Sequence, residues 1–248
     1  MIMIGIHEDT IISSDWHVLH RNIYWFLPEA RKIISDAENP ARLSFPEFIA
    51  AEVRTYQKIF DLIRDTVEKH SIRRFYFLGD LVFGLNKGRE SIKKLEFLNE
   101  EVPVFFEIFK YLESKNIERR MVLGNHDDFK LLNKKVRAFY ESIFNEVSLF
   151  IREGSNLYTH FPIGYSNVHD KACGTPEEKF FRINKLFYKL DKKLLQETHG
   201  FQIRNFHGHI HRGEFSLHIE NIRHQNMAID WRVSPIAVDA ISLQSASL

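Results

Sequence analysis

Cysteine is almost absent from this chain. The single thiol among 248 residues, Cys173, has no partner for an internal disulfide, so no covalent framework holds the fold. Its polar setting, between Ala172 and Gly174-Thr175-Pro176, reads as a loop carrying a bystander thiol. A charge excess of one sign is missing too. Lys and Arg number 34 against 33 Asp and Glu, for a net charge of +1, so no overall basic field draws in nucleic acid or an anionic membrane, although a local basic patch remains compatible with that balance. Long apolar runs are lacking as well. Met1 to Ile6 is apolar but stops at His7-Glu8-Asp9 with no basic segment before it, which argues against a secretory leader or a membrane span and makes a reduced, cytoplasmic compartment the expectation. No internal repeat or low-complexity tract interrupts the chain. What is present is a hydrophobic content of 44%, enough to bury a substantial core, and one domain over residues 1–248 is the simplest organisation.

Short apolar runs alternate with longer amphipathic segments, the pattern of a layered α/β architecture. Thr10 to Ser14, Phe75 to Leu78 and Met121 to Leu123 read as buried strands. A long helix is predicted from Pro46 to His70, with Ser44 as its cap and Phe48, Val53, Ile59, Leu62 and Ile63 near one stripe. Residues 91–114 are again helical in pattern, with Pro103 as a break or kink. Phe105, Phe106 and Phe109 on this segment read as core packing. A helix opening at Asp127 or Asp128 is expected to run through Leu131, Val136 and Phe139 toward Phe144. Val147 to Ile151 and Asn156 to Thr159 flank Glu153-Gly154-Ser155 as a hairpin. Thr175-Pro176-Glu177-Glu178 is a capping box that leads into a helix through Phe180, Phe187 and Leu194, and strands resume at Phe201 to Phe206.

Five short motifs fall at or near the ends of these runs: Asp15-Trp16-His17, Gly79-Asp80, Gly124-Asn125-His126-Asp127, Thr159-His160 and Gly208-His209-Ile210-His211. Each supplies oxygen or imidazole ligands. Three of them follow directly on an apolar run, so their side chains are expected to gather at the carboxyl ends of neighbouring strands, where a metal site can be assembled from distant sequence. One such motif alone carries little weight. Five in this order carry a good deal.

The set resembles the calcineurin-like metallophosphoesterase superfamily, over residues 15 to 211. It is most similar to small prokaryotic and phage phosphoesterases that read D-x-H-x-x-H-x-N-I, H-x-P and HGH-x-H, here Asp15 to Ile23, His160-Phe161-Pro162 and His207 to His211. That group commonly has glycine before the second histidine, where this chain has Leu19, a change that allows the loop backbone to differ. The resemblance implies a four-layer sandwich of two mixed β-sheets flanked by helices. It implies one metal held by Asp15, His17, Asp80 and His211 and a second held by Asp80, Asn125, His160 and His209, with Asp80 bridging. It also implies hydrolysis of a phosphoester by a metal-bound hydroxide, with His126 as general acid. The mixed carboxylate, amide and imidazole donors favour Mn²⁺, with Fe or Zn²⁺ as alternatives, over Mg²⁺ or Ca²⁺. His20 is either a contact to the substrate phosphate or a plain histidine. Asp127 reads as a helix cap or as an acceptor behind the ligands, and His207 as a residue that orients its loop. His7, His70, His169, His199, His218 and His224 are expected to be solvated or packed.

Reaction class is better specified than substrate. Protein phosphatases of the superfamily extend the second motif to GD-x-x-DRG, whereas this chain reads Gly79-Asp80-Leu81-Val82-Phe83-Gly84. The Asp and Arg are missing. Ser14-Asp15-Trp16-His17 is similar to the repair nucleases of the superfamily, but those need a further domain to hold DNA. A small phosphodiester is therefore the favoured substrate, with a nuclease or a phosphomonoesterase as alternatives and a catalytically dead scaffold behind both. Residues 24–45 and 84–100, which flank the motifs, are the expected selectors of substrate. Oligomeric state is not encoded in any pattern here.

Overall fold

The structure is a computed structural model in which residues 5–85, 87, 89–127, 133–172, 185–210, 219 and 221–228 are described. Two sheets form its centre. The first has five strands in the order β1 (Gly5–His7), β2 (Thr10–Ser13), β3 (Arg74–Leu78), β4 (Glu118–Val122) and β5 (Glu146–Ser148). The second has four, β6 (Ile151–Glu153), β7 (Asn156–Thr159), β8 (Ile203–His207) and β9 (Ile222–Asn226). Both sheets are mixed, because β1–β2 and β6–β7 are antiparallel hairpins and every other pairing is parallel.

Side-chain alternation sorts these strands into layers. Ile12, Tyr76, Leu78 and Val122 of the first sheet meet Ile151, Tyr158 and Phe206 of the second in one apolar cluster between the sheets. Their sequence neighbours Ile11, Phe75, Phe77 and Met121 point the other way. There they pack against the long α3 (Phe45–Lys69), α5 (Val104–Ser114) and α6 (Lys134–Ile143), with Phe105 and Phe109 buried in that layer as expected. The outer face of the second sheet, through Leu157, Ile203 and Ile222, packs on Leu194 of α8 (Lys185–Thr198). Helix, sheet, sheet and helix therefore make four layers. Burying one Phe of this core is worth about 3–5 kcal/mol against alanine.

Several elements depart from expectation. Residues 21–35 form two short helices, α1 (Arg21–Phe26) and α2 (Pro28–Ser35), and α7 (Tyr165–Ala172) follows the His160 motif. The apolar run 147–151 is not one strand: β5 belongs to the first sheet and β6 to the second, so the chain changes sheets at Leu149-Phe150. The described α6 begins at Lys134, with the Asn133 side chain accepting the Lys135 and Val136 N–H groups as its cap. Asp127 therefore does not cap it, and residues 128–132 lie outside the described set, as does the capping box at 175–178. Pro103 does break the helical segment, into α4 (Arg89–Glu101) and α5. Ser44 and Glu47 form a capping box at the start of α3. Among the described residues no helix is long and apolar enough to cross a membrane.

Candidate metal centre

Parallel pairing puts the carboxyl ends of β2, β3 and β4 side by side, and those of β7 and β8 likewise. Isolated parallel bridges continue past the strand ends, Val18 to Val82 and Ser14 to Ala228, the latter tying the end of β2 to the chain leaving β9. The motif residues stand at this edge, where side chains from different strands converge. The backbone here is bent sharply. Asp15, His17, Leu19, Asp80 and His209 all lie in the left-handed region, with φ of 57°, 50°, 61°, 58° and 65°. Non-glycine residues enter that region at a cost that the surrounding structure must meet, and such residues concentrate at functional sites. Hydrogen bonds meet it here. Asp15 N–H donates to the Gly79 carbonyl, His17 N–H to that of Asp80 and Val18 N–H to that of Leu81, each at 3.0 Å.

Asp80 lies at the middle of the constellation. Its Oδ2 is 3.5 Å from His160 Nε2, 3.8 Å from His17 Nε2 and 4.0 Å from His126 Nε2, while its Oδ1 accepts the His126 N–H at 2.8 Å. Among the described residues two groups of side chains able to hold a cation result, His17 with Asp80 and His126, and Asp80 with His160 and His209. Asp80 belongs to both. Asp15 borders the first group, with Oδ1 3.7 Å from His17 Nε2, and its Oδ2 accepts the His209 N–H at 2.9 Å, so the two sheets are fastened through one carboxylate. The Ser14 hydroxyl also contacts that oxygen.

The donor chemistry fits a cation. His160 Nδ1 is 2.8 Å from the Leu78 carbonyl, which can only accept, so Nδ1 carries a proton. Nε2, the nitrogen left to meet a cation, faces Asn125 Oδ1 at 2.9 Å and the Asp80 carboxylate. Imidazole, amide and carboxylate thus present electron pairs to one space. Burial comes first in holding the Asp80 carboxyl well above its ordinary 3.8, followed by the charges of Asp127 and Asp15, with the His126 N–H pulling the other way. A bound cation would remove that penalty.

The neighbours support this arrangement. Asp127 is fully buried, and its Oδ2 accepts the Asp80 and Gly124 N–H groups at 2.8 Å each while Oδ1 accepts the Tyr140 hydroxyl at 2.9 Å. It holds the two ligand-bearing turns together from behind. Gly79, with φ of +89°, allows no side chain, because a Cβ there would lie 2.6 Å from His160 Nδ1 and 2.7 Å from Gly124 N. His207 is buried with Nδ1 2.9 Å from the Gly208 carbonyl and belongs to neither cation group. His20 stacks on Phe83 at 3.5 Å, and burial followed by the nearby His17 and His126 holds its imidazole down at about 2. Those causes favour the neutral ring. Leu19 lies in the left-handed region that favours glycine. His211 lies outside the described residues.

Some contributors carry no sequence signal. The Tyr165 hydroxyl, whose pKa burial pushes up to about 12, is 3.3 Å from His209 Nε2. Glu52, fully buried on α3, accepts the Leu19 N–H at 2.6 Å and the Tyr24 hydroxyl at 2.8 Å, fixing the loop that carries His17. Phe83 places its ring 4.8 Å from that of His126. Glu52 and Tyr165 repeat no spacing or motif and reach the site only through the fold, whereas Phe83 lies three residues after Asp80, in the stretch that the sequence already brings out.

No family model matches the chain, and no curated protein does. Among solved structures it is similar to the Pseudomonas putida nuclease MPE, with 12% identity, a TM-score of 0.35 and coverage of 83% of this chain and 62% of that one. The chain thus spans less than two thirds of the length of that nuclease.

Proposed function

We propose that the chain is a metal-dependent phosphoester hydrolase that uses two divalent cations and prefers phosphodiesters to monoesters. The observation that carries this reading is Asp80, one buried carboxylate common to both cation-holding groups. Asp15, His17 and His211 would complete one cation's shell, and Asn125, His160 and His209 the other's, with Mn²⁺ the best match to these donors and Fe or Zn²⁺ next. When bound, such a pair lowers the pKa of a coordinated water and neutralises the nonbridging oxygens of the phosphoryl group.

The chain's own residues supply the rest. Asp80, anchored by the His126 N–H and held from behind by Asp127, fixes the spacing of the two positions. His160 is locked in orientation by the Leu78 carbonyl. His126, which borders the first cation position but whose Nε2 stands farthest of the three imidazoles from Asp80 Oδ2, at 4.0 Å against 3.8 and 3.5 Å, is the proton donor to the leaving group rather than a ligand. Its side chain is 32% exposed, against 3% for His17 and 0% for His160, so it alone of these three can exchange a proton readily with solvent. The phosphatase-type Asp and Arg are replaced by Phe83 and Gly84, and Phe83 turns an apolar ring toward His126. No arginine stands there to meet the second charge of a monoester, which supports the diester.

The test is hydrolysis of a nitrophenyl phosphodiester and of the matching monoester with Mn²⁺, beside an Asp80→Asn variant. Faster diester cleavage that the variant abolishes is expected. Monoester preference would overturn the substrate class, and cleavage that survives Asp80→Asn would overturn the mechanism.

A further inference from the structure

Residues 21–43 build a second feature beside the centre. His20, whose ring is 5.4 Å from that of His17, is the N-terminal cap of α1. Six residues of helix span about 9 Å, so α1 begins at the loop that carries His17 and extends about that far from its cap. Between α1 and the short 3₁₀ turn Pro40–Arg42 is a cavity of about 260 Å³, bordered by Arg21, Trp25, Pro40, Arg42 and Leu43. It is smaller than the roughly 300–1,000 Å³ of a pocket for a drug-sized ligand, and so suits a single ring system or one phosphate-bearing unit. Among the described residues two guanidinium groups border it and no carboxylate does. One of them, Arg21, reaches across to the Leu43 carbonyl and ties the two walls.

The exposed aromatic of its lining is Trp25, 65% exposed, with its ring 5.1 Å from that of Phe26. Tyr24, beside Trp25 in sequence, is buried and held by Glu52, so α1 is anchored from beneath while Trp25 stays in water. Large exposed aromatics beside a cationic lining, on a rigid element, are the pairing that binds unstacked bases through their faces and their phosphates through charge.

We propose that this groove is a subsite for an unpaired nucleotide, with the base stacked on Trp25 and the adjoining phosphate held by Arg21 and Arg42, which makes the diester substrate of the centre a single-stranded nucleic acid or a nucleotide derived from one. The inference rests on the hydrolase reading given above and gives residues 24–45 their role. The chain's near-neutral net charge is no obstacle, because the cationic groups are gathered at the place of use.

The test measures binding of a fluorescein-labelled oligothymidylate of about ten nucleotides, within the usual site size for single strands, by anisotropy in the Asp80→Asn background, where the probe is not consumed. Trp25→Ala is expected to raise Kd by about five- to 150-fold, the worth of one stacked base. Trp25→Phe should restore most of the affinity. Arg42→Ala should weaken binding and also make the slope of log affinity against log salt shallower by about 0.7, the mark of one lost phosphate contact. Competition by thymidine monophosphate as effective as that by unlabelled oligonucleotide would assign the groove to free nucleotides, and weak competition to the strand. Unchanged Kd in both Trp25→Ala and Arg42→Ala overturns the proposal, as does self-association that Trp25→Ala abolishes while probe affinity stays the same. Nitrophenyl diester hydrolysis by the parent protein, measured in parallel, separates the two readings. Hydrolysis with unchanged probe affinity in the variants sinks the groove alone, and lost affinity without any hydrolysis sinks the hydrolase alone.

Discussion

Leu19 holds a conformation that costs a branched residue about 1–2 kcal/mol, at a site where its side chain is 8% exposed and packed in the main core. Two effects compete on replacing it by glycine. Relief of the left-handed backbone would stabilise the protein, but glycine gives back much of that gain through its freer unfolded chain. Loss of the buried leucine costs about 2–5 kcal/mol. Lost packing outweighs backbone relief, and Leu19→Gly is expected to destabilise by about 2 kcal/mol in urea titration. A variant as stable as the parent would show that Leu19 contributes no packing. The Glu52 carboxylate explains how the loop bears the strain without glycine, because it accepts the Leu19 N–H directly and is itself held on a helix. At this scale the residues that gather at the centre were readable in sequence, since Asp15, His17, Asp80, Asn125, His160 and His209 each follow a strand. Glu52 and Tyr165 were not, because what qualifies them is a distance across the fold.

The β1–β2 hairpin is secured at the end of the first sheet remote from the centre. Arg73 and Arg74, at the start of β3, donate N–H groups to the Asp9 carbonyl and guanidinium bonds to its carboxylate, and Arg74 continues to Glu153 at the end of β6. Burial of Asp9 acts to raise its pKa, but the hydrogen bonds and charge of Arg74, and then of Arg73, outweigh it and hold the carboxyl below 3.8. A depressed folded pKa contributes stability that is complete above the unfolded value and is lost as pH falls through the folded one. Asp9→Asn should therefore lower the melting temperature at neutral pH and narrow its difference from the parent below about pH 4. A gap that stays constant down to about pH 2 would refute the assignment. Elements differed in how well the sequence announced them. The long α3 has a stripe, a capping box and 25 residues over which a 3.6 period can emerge. Helix α1 has six residues, and its cap His20 makes no capping hydrogen bond with its side chain, so nothing local distinguishes it from a loop. The run 147–151 shows the opposite failure: its apolar residues are continuous, and only tertiary packing divides them between two sheets.

Across the whole molecule, alternation within each strand decided the layering, whereas the sequence showed only continuous apolar runs ending in motifs, whose two faces are both buried. Which runs pair with which, and that β7 and β8 belong to a second sheet, depends on contacts between residues tens of positions apart. The site shares that dependence, because Asp15 and His209 come from different sheets and meet only when the layers close. Stability of the layers and occupancy of the centre are consequently linked. Asp15, Asp80 and Asp127 are buried together, and the raised pKa of Asp80 means that, without a cation, the folded state loses stability as pH climbs from the ordinary carboxylate value of 3.8 through the folded one. A cation that binds only the folded form reverses this, adding about 2.7 kcal/mol at a hundred times its Kd. Scanning calorimetry should then show a crossing. With chelator present, Asp80→Asn is expected to melt above the parent, since one buried charge has been removed. With Mn²⁺ the parent should rise and the variant should not, and the Mn²⁺-induced rise should shrink as pH falls and protons compete for the carboxylate. Equal shifts in both proteins would place the cation elsewhere and remove the shared carboxylate from its role.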